Sequence, residues 1–271
     1  MKFVGARVIH LLSDRSAALT AAKRKLWALI QACLSGWRRL AVWPPVGWVR
    51  FGSLRRTTPI SRIFGLDRGL REQCIDIYFI ERFLSRHDND IHGHVLEFGD
   101  DIYTGKFGKG RVTKSDVLSV SPGNPHVTIV ADLTQASQIP SDEYDCIICT
   151  QTLQCVFDVR EALKTLYRIL KPGGTLLTSL SGISQISRYD MDRWGDYWRF
   201  TTKSAESMYR EFWPPECVQI HVDGNVLLAV AYLHGLTIDE INAADLDCHD
   251  PDYQLVITVR AVKPAHGKEG L

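Results

Sequence analysis

Apolar residues along this 271-residue chain follow two periods, and the alternation between them lays out the architecture. Over residues 13–40 the period is helical. Ala17, Ala18, Ala21 and Ala22 favour helix, and Trp27, Ile30, Cys33, Leu34 and Trp37 form a stripe at three- and four-residue spacing. Pro44-Pro45 breaks it, and Gly47, Gly52, Pro59 and Gly65 predict a linker or lid over residues 41–68. Residues 69–87 return to helix, with Cys74, Ile77, Tyr78, Ile80, Phe83 and Leu84 on one wide face. Val95-Leu96-Glu97-Phe98-Gly99 then reads as a short buried strand that carries an acid and ends on a glycine.

From there strands and helices alternate. Further strands are predicted over residues 111–118, 127–133, 144–150 and 175–180. Asp158 and Glu161 have the spacing of a capping box, and Val159, Ala162, Leu163, Leu166, Ile169 and Leu170 continue it as a helix. Lys171-Pro172-Gly173-Gly174 stops that helix. A helix from Thr202 or Ser204 toward Trp213, a strand over Val218–Val222, a helical run over residues 226–236 and a final alternating strand over residues 253–262 complete the series. Such alternation predicts a doubly wound parallel sheet, in which ligands bind beyond the carboxyl ends of the strands. The domain division is a basic helical extension and linker over residues 1–68, an α/β domain over residues 69–264 and a flexible tail over residues 265–271.

Charge adds an asymmetry that the net value of +1 conceals. Residues 1–72 hold 14 Lys+Arg against 3 Asp+Glu, and the remainder holds 18 against 28. The amino-terminal stretch therefore suits an anionic partner, or the acidic body of its own chain. A basic, tryptophan-bearing helix over residues 13–40 reads first as one docked on the protein core or a partner subunit, with peripheral contact with a membrane surface as the alternative. The basic residues precede the predicted sheet rather than line its strand ends, which argues against nucleic acid as a partner. Seven cysteines are scattered, and Cys146 and Cys149 fall three apart in a predicted strand, so they face opposite sides. They read as buried thiols in a reducing cytoplasm, with no metal assigned.

Two groups of residues carry the candidate chemistry. Glu97, Asp116 and Asp132 stand at or near three successive strand ends, where carboxylates can accept hydroxyl or amine protons. The stretch 188–200 interleaves aromatics with charges, and Arg188, Tyr189, Asp190, Arg193, Trp194, Trp198 and Arg199 are its candidate acceptor-binding residues. Asp190, Asp192, Asp196, His221 and His249 are candidate general bases for a hydroxyl acceptor, with Asp192, Asp196 and His221 placed first.

The sequence resembles the class I S-adenosylmethionine-dependent methyltransferases, and within them the type 11 methyltransferase-like proteins associated with bacterial polysaccharide biosynthesis. The resemblance rests on Val95–Gly99, Asp116, Ala131-Asp132-Leu133, Tyr144–Gln154 and Leu166–Leu176, the last containing Leu170-Lys171-Pro172-Gly173-Gly174. It implies a Rossmann-like fold, a mostly parallel seven-stranded sheet with helices on both faces. It implies S-adenosyl-L-methionine as cofactor, with Glu97 and Gly99 at its methionine part, Asp116 on the ribose, Asp132 and Leu133 at the adenine, and Gln151 facing the sulfonium. The family's glycine-rich loop is reduced to Gly99, with Asp101 and Tyr103 where small residues are usual. Asp101 then either meets the cofactor's ammonium or marks a site that has lost it. The implied activity is methyl transfer to a sugar, a glycan or a related small acceptor, in the cytoplasm or at the inner membrane face. The alternative is a catalytically silent binding or scaffold protein that meets a glycosyltransferase or the membrane.

Overall fold

The structure is a computed structural model and describes residues 25–34, 37 and 52–265. The chain divides into two compact units, Met1–Thr57 and Thr58–Leu271. In the first, residues 25–34 are helical (α1), within the helix expected over residues 13–40; residues 13–24 of that span lie outside the described residues, as does the tail beyond residue 265.

The second unit is built on a seven-stranded sheet: β1 Gly93–Phe98, β2 Val112–Ser119, β3 Ile129–Val130, β4 Tyr144–Thr150, β5 Leu170–Ser181, β6 Val218–Asp223 and β7 Val256–Val262. The spatial order is β3-β2-β1-β4-β5-β7-β6. Strands β3, β2, β1, β4 and β5 run parallel, and β7 is antiparallel to both β5 and β6. This is the Rossmann-like class I methyltransferase fold. The order reverses between β1 and β4, which makes their carboxyl ends the switch point where a crevice opens.

Side-chain alternation along the strands feeds two apolar layers. Leu96, Ile147, Cys149 and Leu176 face one side and meet Leu163 and Leu166 of α4 (Val159–Ile169) and Ala205 and Tyr209 of α6 (Thr202–Tyr209). Val95, Cys146, Ile148 and Leu177 face the other. There they meet Ile75, Phe79, Ile80 and Phe83 of α2 (Ile75–Arg86), Tyr103 and Phe107 of α3 (Ile102–Gly108) and Leu228 of α7 (Val226–Leu233). Cys146 and Cys149 thus belong to opposite layers, both as buried free thiols. Asp158 caps α4 by accepting the Glu161 N–H at 3.2 Å, as the sequence predicts.

Several expected boundaries move, for reasons visible in the packing. Residues 58–68 belong to the second unit rather than to a separate linker. The N–H groups of Ile60 and Ser61 both donate to the His234 carbonyl, and Gly235 (φ 67°) packs against Ser61, where a Cβ would stand 2.6 Å from the Ser61 carbonyl oxygen. The third strand shrinks to Ile129–Val130. The Lys171-Pro172-Gly173-Gly174 turn is drawn into β5. Gly173 adopts φ 81° and donates to the Lys263 carbonyl, while a Cβ on Gly174 would meet the Tyr144 and Asp145 carbonyls at 3.0 and 3.1 Å. The helix after the aromatic stretch starts at Thr202 as expected, with Thr201 as its cap, but ends at Tyr209, short of Trp213.

Candidate active site

Beyond the carboxyl ends of β1, β2 and β4 the surface sinks into a cleft of about 580 Å³. Its floor comes from Phe98 and Gly99, from Leu118, Ser119 and Val120, and from Asp132, Leu133 and Thr134 after β3. Thr150, Gln151 and Thr152 close one side, and Phe157, Asp158, Asp190, Arg193, Trp194 and Tyr197 form the far wall. A smaller cavity of about 270 Å³ lies against α6 and β6, away from the strand ends, and is lined in part by the Lys203–Glu206 ion pair.

Gly99 is where the chain leaves β1. It takes φ 77°, and a Cβ built on it would meet no atom within 4 Å, so the turn presents bare backbone to open space. Glu97 does not reach this space. Its carboxylate accepts the N–H groups of Tyr103 (3.0 Å) and Thr104 (2.7 Å) and so caps the first turn of α3. Burial pushes its pKa up to about 7, against those two hydrogen bonds. Tyr103 and Asp101, the two residues that break the glycine pattern, also stay out of the cleft lining. The Tyr103 ring is buried beside Phe107, with its hydroxyl 3.1 Å from the Arg71 guanidinium. Asp101 faces the His126 imidazole at 3.2 Å. With Asp100 these two groups bring three ligand atoms within 4.8 Å of one another, a grouping the sequence analysis did not find because His126 lies 25 residues away. The Asp101–His126 contact already satisfies two of the three, and we assign no metal to it.

Asp116 requires the clearest correction. It sits in the middle of β2, opposite Leu96 of β1, and the strand runs on to Ser119. Its carboxylate meets His94 Nε2 at 2.7 Å, Thr128 Oγ1 at 2.9 Å and Lys114 Nζ at 3.3 Å, and His94 Nδ1 turns to Glu143 at 3.2 Å. Burial alone would raise this carboxyl. The bonds from His94 and Thr128, with the Lys114 ammonium, outweigh burial and hold it below the usual range. Asp116→Ala should therefore lower stability by about 1–3 kcal/mol at neutral pH, the cost of orphaning buried partners. Because the folded carboxyl is depressed, its contribution is present above the ordinary aspartate value of about 3.9 and fades as pH falls through the folded value. Ligand affinity at the cleft should change less than about twofold, since no Asp116 atom lines it. Chemical denaturation at pH 7 and pH 3 with a ligand titration checks both; intact stability with lost affinity would restore Asp116 to the site.

Of the other expected cleft residues, Asp132, Leu133 and Gln151 line it with Gly99. Asp132 Oδ1 accepts the N–H and the hydroxyl of Thr134, both at 2.8 Å. Gln151 is held at φ 47° while its N–H donates to the Ser179 carbonyl at 3.1 Å, and its side chain accepts from Gln154 Nε2 at 2.8 Å. Gln154 in turn accepts the Tyr197 N–H at 2.8 Å, and Trp198 Nε1 donates to the Val156 and Phe157 carbonyls at 3.1 and 3.2 Å. These bonds dock the aromatic stretch onto the loop after β4.

That stretch divides by role. Asp190, Arg193 and Trp194 line the cleft, and Tyr197 joins them. Tyr189 supports them from outside, with Arg193 stacked on its ring at 3.6 Å and Trp194 against its edge. Trp198 and Arg199 anchor the loop. Asp196 is a structural carboxylate rather than a base: it accepts from Arg199 Nη2 and the Ser187 N–H, both at 2.9 Å. Those bonds outweigh its burial and hold its carboxyl below the usual range. Asp192 pairs with Arg188 at 3.3 Å on the exposed side, and neither lines the cleft. His221 lies on the edge strand β6, beside Asp223 at 3.3 Å and stacked on His249. Three strand spacings of about 4.8 Å separate β6 from β4, too far for direct participation. Asp158, read from sequence only as a helix cap, lines the cleft together with Phe157, and Ser119 and Val120 line it where β2 ends.

Comparison with known proteins finds similarity over part of the chain. Residues 108–178 match a family described as a methyltransferase domain. A stretch of 52 residues is 40% identical to the ubiquinone/menaquinone biosynthesis C-methyltransferases UbiE of Pectobacterium carotovorum and Pectobacterium atrosepticum. It covers 19% of this chain and 21% of each relative. Similar solved structures include an S-adenosylmethionine-dependent methyltransferase from Archaeoglobus fulgidus, at 10% identity and TM-score 0.47 over 69% of this chain and 94% of that one. They also include the N-methyltransferase NodS of Bradyrhizobium japonicum, in complex with S-adenosylhomocysteine, at 15% identity and TM-score 0.40 over 68% and 88%. The fold assignment stands on the strand order itself rather than on these low scores.

Proposed function

We propose that this chain is an S-adenosylmethionine-dependent methyltransferase whose acceptor is a polar molecule that stacks on aromatic rings, with a sugar hydroxyl as the leading case. One observation carries the reading. An open glycine turn at the end of β1 and a cluster of aromatics and carboxylates line the same cleft.

The residues present fit the cofactor. A volume of about 580 Å³ lies within the range of about 300–1,000 Å³ typical of small-molecule sites. Gly99 leaves room for close approach of a polar chain to the backbone, as the methionine part requires. Leu118, Val120 and Leu133 offer an apolar slot for a flat base, and Ser119 and Asp132 stand beside it as hydrogen-bonding groups. When bound, the cofactor supplies an electrophilic methyl group on a sulfonium. The chain's own residues do the rest. Trp194, Tyr197 and Phe157 hold the acceptor by stacking, and Arg193 and Asp158 hydrogen-bond its polar edge. Asp190 takes the hydroxyl proton during attack. Alignment and exclusion of water by the docked aromatic loop supply much of the acceleration.

The named relatives act at carbon and at nitrogen. Oxygen is preferred here because the cleft holds a carboxylate, Asp190, with no hydrogen-bond or ion-pair partner among the described residues, and a hydroxyl nucleophile gains most from such a base.

Calorimetric titration with S-adenosylhomocysteine tests the reading. Saturable binding in the micromolar range is expected, and absence of heat and of any thermal shift at millimolar ligand overturns it. The second reading, a binding or scaffold protein without catalysis, is favoured by one observation: β2 ends on Ser119, with no carboxylate at the strand end to grip a ribose diol.

A further inference from the structure

We infer that helix α1 lies on an anionic lipid surface and makes this chain a peripheral membrane protein. The proposal does not depend on the methyl-transfer reading. At 100° per residue, Leu26, Ile30, Cys33 and Leu34 fall within about 100° of arc, and Trp27 and Leu29 widen that face to about 160°. Lys25, Ala28 and Gln31 fall outside it. Here Trp27 is 65% exposed, Leu29 63% and Trp37 69%, and Leu26, Ile30 and Leu34 are exposed with them.

Charge selects the occupant. Lys23, Arg24 and Lys25 lead into the apolar run and Arg38-Arg39 follows it. Residues 1–57 hold 11 Lys+Arg (residues 2, 7, 15, 23, 24, 25, 38, 39, 50, 55 and 56) and a single acid, Asp14. A second copy of the same segment would bring like charges together, which costs energy unless paired. An anionic lipid surface answers both features at once: headgroups meet the lysines and arginines, and the interface takes the tryptophan and leucine face. No helix among the described residues is long and apolar enough to cross a membrane, so the contact lies along the surface.

The test is co-sedimentation of the full-length protein with vesicles of phosphatidylcholine alone and of phosphatidylcholine mixed with phosphatidylglycerol. Binding to the anionic vesicles only, weakened by added salt, is expected. The triple variant Lys23→Gln, Arg24→Gln, Lys25→Gln should lose about 100-fold in partitioning, and Ile30→Glu about tenfold or more. Thermal melting of each variant should match the parent, which separates lost contact from lost folding. Equal binding to both vesicle types, no binding at all, or unchanged partitioning of the variants overturns the proposal. So does a dimer in sedimentation velocity that Ile30→Glu dissociates without any vesicle binding, which would assign the face to a second copy.

Discussion

Replacing Asp190 with asparagine is expected to lower kcat for a hydroxyl acceptor by about 100- to 10,000-fold, the usual range for loss of a positioned base. The expectation follows from how the three cleft carboxylates are occupied. Asp132 is held by both donors of Thr134, and Asp158 caps α4 through the Glu161 N–H. Asp190 is fixed through its backbone instead: its N–H donates to Ser187 Oγ at 3.3 Å, and its carbonyl accepts from Trp194 at 2.8 Å and Gly195 at 3.0 Å. Its carboxylate has no hydrogen-bond or ion-pair partner among the described residues and lines the cleft. Asparagine keeps the shape and the backbone bonds but cannot take a proton. Affinity for S-adenosylhomocysteine should therefore stay within about twofold of the parent, because the change is confined to the acceptor wall. Steady-state kinetics with a hydroxyl acceptor, alongside calorimetry, makes the comparison. A kcat within a factor of about three of the parent would remove Asp190 as the base, because general-base loss costs far more than that.

The largest effect on stability is expected at Trp213. Its side chain is 1% exposed, and it packs edge-on against Tyr167 at 5.0 Å, tilted on Tyr209 at 5.5 Å and beside Phe212 at 6.3 Å. Together these rings cover the sheet layer that includes Leu176 and Ile257. Trp213→Ala should cost about 3–5 kcal/mol, from lost burial and an unfilled cavity. For a unit of this size that is a fall of about 10 °C in Tm. Trp213→Phe should cost less than about 1.5 kcal/mol. It retains most of the volume and removes an indole N–H that finds no acceptor in the layer. Thermal melts of the two variants decide it. A fall of less than about 3 °C for the alanine variant would show that the layer collapses around the gap.

The elements most legible in the sequence are those whose own residues determine them. Tyr144–Thr150 is a strand because its apolar run is continuous and bounded, and the helix over Val159–Ile169 starts where Asp158 can cap it. Gly99 and Asp132 are legible as cleft residues from their places at predicted strand ends, whereas Leu133 and Gln151 come only from the family resemblance. The errors share a cause. Asp116 looks like a ligand-facing acid because it stands near the end of a predicted strand, but His94, Thr128 and Lys114 engage its carboxylate inside the structure. Asp196 looks like a free base only until Arg199 folds back onto it. Tyr103 looks like an obstruction only until α3 turns its ring into the layer against α2.

By itself, then, the sequence determined the alternating fold, the edge of the sheet where a ligand would sit and the aromatic stretch that faces it. Those features rest on periodicity and on turn chemistry, which are local. Only the tertiary structure decided which acids are engaged and which is free. A carboxylate's role depends on the donors that other segments bring within about 3 Å of it. His94 lies 22 residues from Asp116 in the chain, and no local pattern announces that they meet.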